Sequence, residues 1–391
     1  MDFVEEAKTL LPGLKELRRA LHRDPEIGLD LPRTQQKVLD ALNDLGLDIT
    51  LGTRTTSVTA VLRGATDGPT VLLRGDMDAL PVVEENDLPY RSTNGAMHAC
   101  GHDLHTAGLV GAAKLLAAHK DELKGTVVFM FQPGEEGHDG AKVMIEEGVL
   151  DAAGHKPDAA YGIHVMPGAP GVFTTKPGPV MAGASELRVT IHGEGGHGSA
   201  PMNAKDPVPV VAALAGELPS LVTRRFSPFE PLVVTVTQLR GSDAVNVIPG
   251  SASLAATVRS FAPDVVERLR TEVAALADGL AAAHGCTAEV DLKVTFPVTM
   301  NDDDETAVAL GVLAGVFGAE RAIEGAEPVT ASEDFSLVLQ QVPGTFLFLS
   351  ASPDGLENPA YNHSPKVLFN DDVLGDQAAA LAELAWARLE R

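Results

Sequence analysis

Apolar positions near the start of the chain recur at helical spacing. Val4, Leu10, Leu11, Leu14, Leu17 and Leu21 predict a helix over 2–22, and Pro25 and Gly28 end it. A second helix is expected at about 33–45, stopping near Gly46. The rhythm then changes. SVTAVLRG (57–64) and PTVLLRGDMD (69–78) read as strands. The second is nearly all apolar before Arg74, as a strand buried on both faces would be. A helix at 104–119, the apolar strand GTVVFMFQP (125–133), a helix at 139–148 and the short strand AAYGIHV (159–165) follow. Strands alternating with helices predict an α/β layer on a largely parallel sheet.

The middle of the chain has another rhythm. ASELRVTIHG (184–193) alternates like a half-buried strand, and a helix is expected at 207–222. PLVVTVTQLRG (231–241) and SASLAATVRSF (251–261) are strands. A long helix runs from Pro263 to Gly285, and TAEVDLKVTF (287–296) closes the unit. The order β-α-β-β-α-β is that of a ferredoxin-like split βαβ unit. An inserted α+β domain is therefore placed at 182–293, splitting a first domain into 1–181 and 294–391. That domain resumes with a helix at 304–317, the strand GTFLFLS (344–350) and a final helix at 371–390.

Composition narrows the function classes. The 391 residues carry 30 Lys+Arg against 54 Asp+Glu, a net charge of −24. Such a chain repels nucleic-acid phosphates and anionic membrane surfaces. Its two cysteines, Cys100 and Cys286, cannot form a disulfide framework. No run of 18 apolar residues is present, and the acidic start lacks the pattern of a signal peptide, so a cytoplasmic location is expected.

Histidine carries the chemistry. Met97-His98-Ala99-Cys100-Gly101-His102-Asp103-Leu104-His105 packs one thiol and three imidazoles into a short run. Thiolate and neutral imidazole suit borderline-soft divalent metals. Gly101 lets the flanking Cys100 and His102 side chains turn toward one point. Gln132-Pro133-Gly134-Glu135-Glu136-Gly137 ends an apolar strand with adjacent carboxylates. Metal-assisted hydrolysis needs that pairing, one carboxylate as ligand and one as general base. His164 ends another strand, and His363 lies on a loop near the C-terminus. Cys100, His102, Glu136, His164 and His363 make a mixed S/N/O set large enough for two metal ions. Gly193-x-Gly195-x-x-Gly198 fits a dinucleotide fingerprint only formally, because no helix is expected to open after it. Cys286, at a helix end, reads as a packing residue.

These motifs resemble those of the metal-dependent aminoacylase and carboxypeptidase-G-like peptidase family. The branch most similar is the N-acyl-amino-acid amidohydrolases, the hippurate and auxin-conjugate hydrolases. The resemblance rests on LHRDPEIG (21–28), RGDMDALP (74–81), MHACGHDLHTA (97–107), FQPGEEG (131–137) and GIHV (162–165). It continues through GGHGSAP (195–201), NVIPG (246–250), TVRSF (257–261), SEDFS (332–336) and NHSP (362–365).

The resemblance implies a catalytic α/β domain with an inserted ferredoxin-like lid that dimerises, giving a homodimer or higher homo-oligomer. It implies two divalent ions per subunit, from Zn, Mn, Co or Ni, held by Cys100, His102, Glu136, His164 and His363. Glu135 is the implied general base. His197 and Asn246 on the lid resemble residues that meet the substrate's carbonyl or carboxylate, and Arg259 is a further candidate for the carboxylate. The implied reaction is hydrolysis of an N-acyl amino acid to acid and amino acid. A dipeptidase or aminopeptidase of the same fold, or a catalytically silent metal-binding protein, stands as the alternative. Most of the wider family carries a histidine-x-aspartate pair where this chain has Asp76-Met77-Asp78. Asp78 is expected to orient a ligand, and Asp76 receives no role.

Overall fold

Val71–Leu73, Val127–Phe131 and Ala159–Tyr161 are buried without alternation, so their strands are covered on both faces. The structure is a computed structural model describing residues 1–391. Its chain divides into two units. The first comprises Met1–Val180, Met300–Glu327 and Asp334–Arg391, and the second Met181–Thr299 with Pro328–Glu333.

The first unit holds β1 (Asp48–Leu51), β2 (Val58–Arg63), β3 (Thr66–Asp76), β4 (Lys124–Gln132), β5 (Ala159–Met166), β6 (Phe173–Thr175), β15 (Ala322–Glu324) and β16 (Gly344–Ser350). Their order in one sheet is β1-β2-β4-β3-β5-β16-β6-β15. The run β4-β3-β5-β16 is parallel. β1 pairs antiparallel with β2, β2 with β4, and β6 with β16. The sheet is therefore mixed: its centre and the β6–β15 pair are parallel, and β1, β2 and the β6–β16 pair add antiparallel ladders to the largely parallel sheet expected. The segment between β1 and β2 is only residues 52–57, too short for a parallel crossover.

The helices of this unit are α1 (Phe3–Arg23), α2 (Pro32–Leu42), α3 (His102–Ala118), α4 (Gly140–Glu146), α7 (Asp303–Phe317), α8 (Ser336–Leu339) and α9 (Val373–Leu389). α3 and α9 are apolar on most sides and buried along most of their length, as central helices of an α/β layer must be. Leu104, Leu109, Val110, Leu381 and Leu384 share one core with β3, β4 and β5.

The second unit contains β8 (Gly183–His192), α5 (Val208–Arg225), β10 (Leu232–Arg240), β12 (Ser251–Ser260), α6 (Pro263–Ala283) and β13 (Thr287–Phe296). Its sheet runs β10-β12-β8-β13 with every pair antiparallel. Leu187, Val189, Ile191, Leu254 and Val258 form the apolar face. Leu214, Leu218, Leu269 and Val273 of the two helices complete that core. A small ladder pairs β9 (Gly196–His197) with β11 (Val247–Ile248). The chain passes between the units through β7 (Gly178–Met181) and β14 (Thr299–Asn301), which pair with each other. No helix is long and apolar enough to cross a membrane.

Candidate metal centre

The parallel strands set where the chemistry falls. Asp76 of β3 stands opposite Gln132 of β4, and Arg74 stands opposite Gly162 of β5. The carboxyl ends of these strands thus deliver Asp76–Asp78, Glu135–Glu136 and His164 to one edge, where α/β sheets place their ligands. α3 starts at the same edge. Gly101 caps it with φ +84°, and a Cβ there would lie 2.2 Å from Val165 Cγ2. Only glycine fits between Cys100 and His102.

Five expected ligands converge within the first unit. Ligand atoms of Cys100, His102 and His164 lie within 4.8 Å of one another, as do those of Cys100, Glu136 and His363. Cys100 belongs to both groups. Its Sγ is 3.4 Å from His164 Nε2, and Glu136 Oε1 is 3.1 Å from His363 Nε2. Ligand atoms of Glu135 fall within the same limit of Glu136 and His102.

Backbone contacts choose the tautomers. His102 Nδ1 donates to the Asp78 carbonyl at 2.9 Å, and His164 Nδ1 donates to the Val165 carbonyl at 2.8 Å. A carbonyl only accepts, so each neutral ring keeps its lone pair on Nε2, the side facing the cluster. The Asp78 carboxylate accepts the Glu135 N–H at 3.0 Å and the Glu136 N–H at 3.1 Å. Asp78 therefore shapes the turn that presents the two glutamates, and its carbonyl aims His102.

The residues present fit a divalent cation. His102 Nε2 is buried and makes no hydrogen bond. Burial works against a charged His102, yet Asp76, Asp78 and Cys100 hold its pKa well above the usual value. Hydrogen bonds to Cys100 and Glu136 push His363 up to about 10. His164 is held well below its ordinary value by burial and by His105, so it is ready as a neutral ligand. Protons on His102 and His363 thus offset a surplus of negative ligand atoms, the same service a bound cation performs. His98, in the same run, faces elsewhere. Its ring lies 6.4 Å from that of His22, and burial pushes it down to about 3.

Sequence reasoning missed a buried polar network beneath these ligands. Arg74 donates to Gln132 Oε1 at 2.9 Å and to Asp76 Oδ2 at 2.7 Å. Asp334 accepts from Gln132 Nε2 at 2.7 Å and from the Ala141 N–H at 2.9 Å. The one available signal was Arg74, a cation inside an otherwise apolar strand.

His197, Asn246 and Arg259 lie in the second unit. His197 pairs with Val247 in the β9–β11 ladder, and the Gly198 N–H donates to the Asn246 carbonyl at 2.8 Å. The Ser199 N–H donates to His197 Nδ1 at 3.2 Å, which leaves the ring proton on Nε2. Arg259 bonds only to Thr257 Oγ1 and the Val258 carbonyl, at 3.0 and 3.1 Å. With Thr257, Gln238, Ser185 and Glu186 it lines a cavity of about 320 Å³. Glu186 is ion-paired to Arg188. Gly193–Gly198 leads into β9 and a turn, with no helix at the glycines. Cys286 is buried in the core of this unit.

Fold and site together define a metal-dependent hydrolase. Comparison with known proteins is specific: the chain belongs to Peptidase family M20/M25/M40, which it matches over residues 72–387. It is 35% identical over 395 residues to Thermostable carboxypeptidase 1 of Saccharolobus solfataricus, covering 98% of each chain. It is 38% identical to IAA-amino acid hydrolase ILR1-like 5 of Arabidopsis thaliana, over 94% of this chain and 85% of that one. Among solved structures it is similar to the YXEP protein of Bacillus subtilis, described as a dinuclear metal-binding peptidase of the M20 family. That match has a TM-score of 0.84 and 32% identity, over 98% and 99% of the two chains.

Proposed function

We propose that this protein hydrolyses the amide bond of N-acyl amino acids, releasing a carboxylic acid and an amino acid. The observation that carries the reading is the convergence of Cys100, His102, Glu136, His164 and His363 with Glu135 beside them. Cys100, His102 and His164 would hold one divalent ion and Glu136 with His363 a second, Cys100 being close to both. The thiolate favours zinc, cobalt or nickel on softness, and the carboxylate and imidazoles also accept manganese. Bound metal supplies Lewis acidity and lowers the pKa of water.

Glu135 takes the proton of the attacking water and returns it to the leaving amine. His197, with its proton on Nε2, donates to the developing oxyanion. Asn246 meets the carbonyl or carboxylate, and Arg259 receives the carboxylate. The second unit, read as ferredoxin-like, serves as lid and dimer contact; its antiparallel sheet packed against two helices supports that reading. Its edge strand β10 exposes Val233 and Leu239. A cytoplasmic location would keep the Cys100 thiol reduced.

The name of the Arabidopsis relative supports an acyl-amino-acid substrate, and that of the Saccharolobus relative supports cleavage at a C-terminal residue. The test is a hydrolysis panel on metal-stripped protein reloaded with single metals. N-acetyl and N-benzoyl amino acids should turn over, and free dipeptides should lag by at least about tenfold. Faster cleavage of free dipeptides assigns a dipeptidase instead. Glu135→Ala should lower kcat by roughly 10²–10⁴-fold, the usual share of general acid–base catalysis, with metal content unchanged. An active Glu135→Ala variant removes the base assignment.

A further inference from the structure

Asp76 is the acidic residue of the strand-end run to which the sequence assigns no role. Its carboxylate is fully buried and lies near two imidazoles. Ligand atoms of Asp76, His102 and His105 fall within 4.8 Å of one another. By distance alone the three form a cation site. Their hydrogen bonds say otherwise.

Asp76 Oδ1 accepts from His105 Nδ1 at 2.5 Å, and Oδ2 accepts from Arg74 Nη1 at 2.7 Å. Each oxygen thus already holds one donor, and Oδ2 lies a further 3.5 Å from His102 Nε2. A carboxylate that accepts at Nδ1 fixes the His105 proton there, so Nε2 is an acceptor. The Val165 N–H donates to that Nε2 at 2.8 Å. Both ring nitrogens of His105 are thus committed too. On the other side of its Cα, in the next peptide unit, the Val165 carbonyl accepts from His164 Nδ1 at 2.8 Å and from Asn362 Nδ2 at 3.2 Å. Asn362 precedes the ligand His363, and the His105 and His164 rings sit 4.6 Å apart.

We propose that Asp76 and His105 are positioning residues: the Arg74–Asp76–His105 chain pins the Val165 main chain at its N–H, and the Val165 carbonyl on the other side of the same Cα aims the ligand His164 and steadies the Asn362–His363 loop. Asp76 is not itself a ligand. The inference rests on the metal-dependent reading above. It adds a role for Asp76: orienting a partner of the metal rather than binding it. Partners of this kind are worth 10–100-fold in metal affinity.

The experiment titrates zinc into the metal-stripped full-length protein against a competing chelator. It compares wild type, His105→Gln, Asp76→Asn and His164→Ala, with melting temperatures recorded for each metal-free protein. His105→Gln and Asp76→Asn should still bind two zinc ions at saturation. One of the two should bind about 10–100-fold more weakly. Cobalt-loaded His105→Gln should show a shifted visible spectrum, because the His164 geometry changes. Zinc affinity within twofold of wild type in both variants, with only the melting temperature lowered, overturns the proposal in favour of a packing role. An Asp76→Asn protein that saturates at one zinc overturns it in the other direction and makes Asp76 a ligand. His164→Ala separates the two levels of the argument. If it binds both ions like wild type, the metal-centre reading itself falls; if it loses an ion while the other two variants match wild type, only the positioning role falls.

Discussion

Gly101 shows how one residue sets the spacing of the site. A left-handed backbone there turns Cys100 and His102 to the same side, and Val165 fills the space where a Cβ would sit. Gly101→Ala should therefore carry the strain of a disfavoured backbone, about 1–3 kcal/mol, plus a clash with Val165. The melting temperature of the metal-free protein should fall, and zinc affinity should fall with it. A variant with wild-type affinity would mean that the two ligands reach their positions without this turn. Asp78 works at the same scale by different means. Its carboxylate holds two consecutive amides of the Glu135–Glu136 turn, and its carbonyl fixes the His102 tautomer. One residue thus contacts the turn or ring of three proposed site residues, His102, Glu135 and Glu136.

At the scale of elements, α1 is tied to α3 by buried charge. Arg18 and His22 of α1 both reach Asp103 in the first turn of α3, at 2.7 Å each, and His22 also reaches Glu84 at 3.2 Å. Asp103 directly follows His102, so this tie anchors the end of α3 that carries that proposed ligand. Burial and the Arg18 charge push the His22 pKa down, but Asp103 and Glu84 outweigh them and raise it. A raised histidine pKa stabilises the fold fully below the unfolded value of about 6.5. That contribution is lost as pH rises through the higher folded value. His22→Gln should therefore cost more melting temperature at pH 6 than at pH 9. An equal deficit at both pH values would show that His22 acts uncharged.

These ties explain what the sequence could reveal. The helices α1, α3, α6 and α9 and the strands β3, β4 and β5 announce themselves by long apolar periods or runs. The ligands announce themselves by residue type, because thiols and imidazoles are scarce and cluster in MHACGHDLH. Short strands such as the edge strands β1 and β15 and the interior β6 gave no such signal, since three or four residues have no periodicity to read. The antiparallel flanks of the sheet were invisible for the same reason. The helix expected at 207–222 runs on through Pro219 to Arg225, and Leu214 and Leu218 on its inner face lie in the core. The Asp76–His105–Val165 chain was beyond reach, because it joins residues separated by 29 and 60 positions through side-chain rotamers.

At the scale of the whole molecule, charge opposes the substrate that the site is proposed to take. The chain carries −24, and an N-acyl amino acid is itself an anion. Long-range repulsion of this kind slows encounter and is screened beyond about 10 Å at 0.1 M salt. The value of kcat/KM for carboxylate substrates should therefore rise between low salt and about 0.15 M. For the matching substrate with a neutral carboxamide it should stay flat. Against that field the substrate needs a local cation, and Arg259 is suited to the part. It lines a cavity and makes no carboxylate contact, while its neighbour Glu186 is occupied by Arg188. A hydrogen bond to a charged group contributes about 1.5–3 kcal/mol. Arg259→Gln should then raise KM for carboxylate substrates by roughly 10–100-fold and leave the carboxamide nearly unaffected. The two measurements divide the electrostatics by range. A flat salt profile would show that the overall field does not reach the site, and an unchanged KM in Arg259→Gln would place the carboxylate receptor elsewhere. If both effects appear together, the acidic surface and the half-buried Arg259 act as opposing filters, the first on approach and the second on binding.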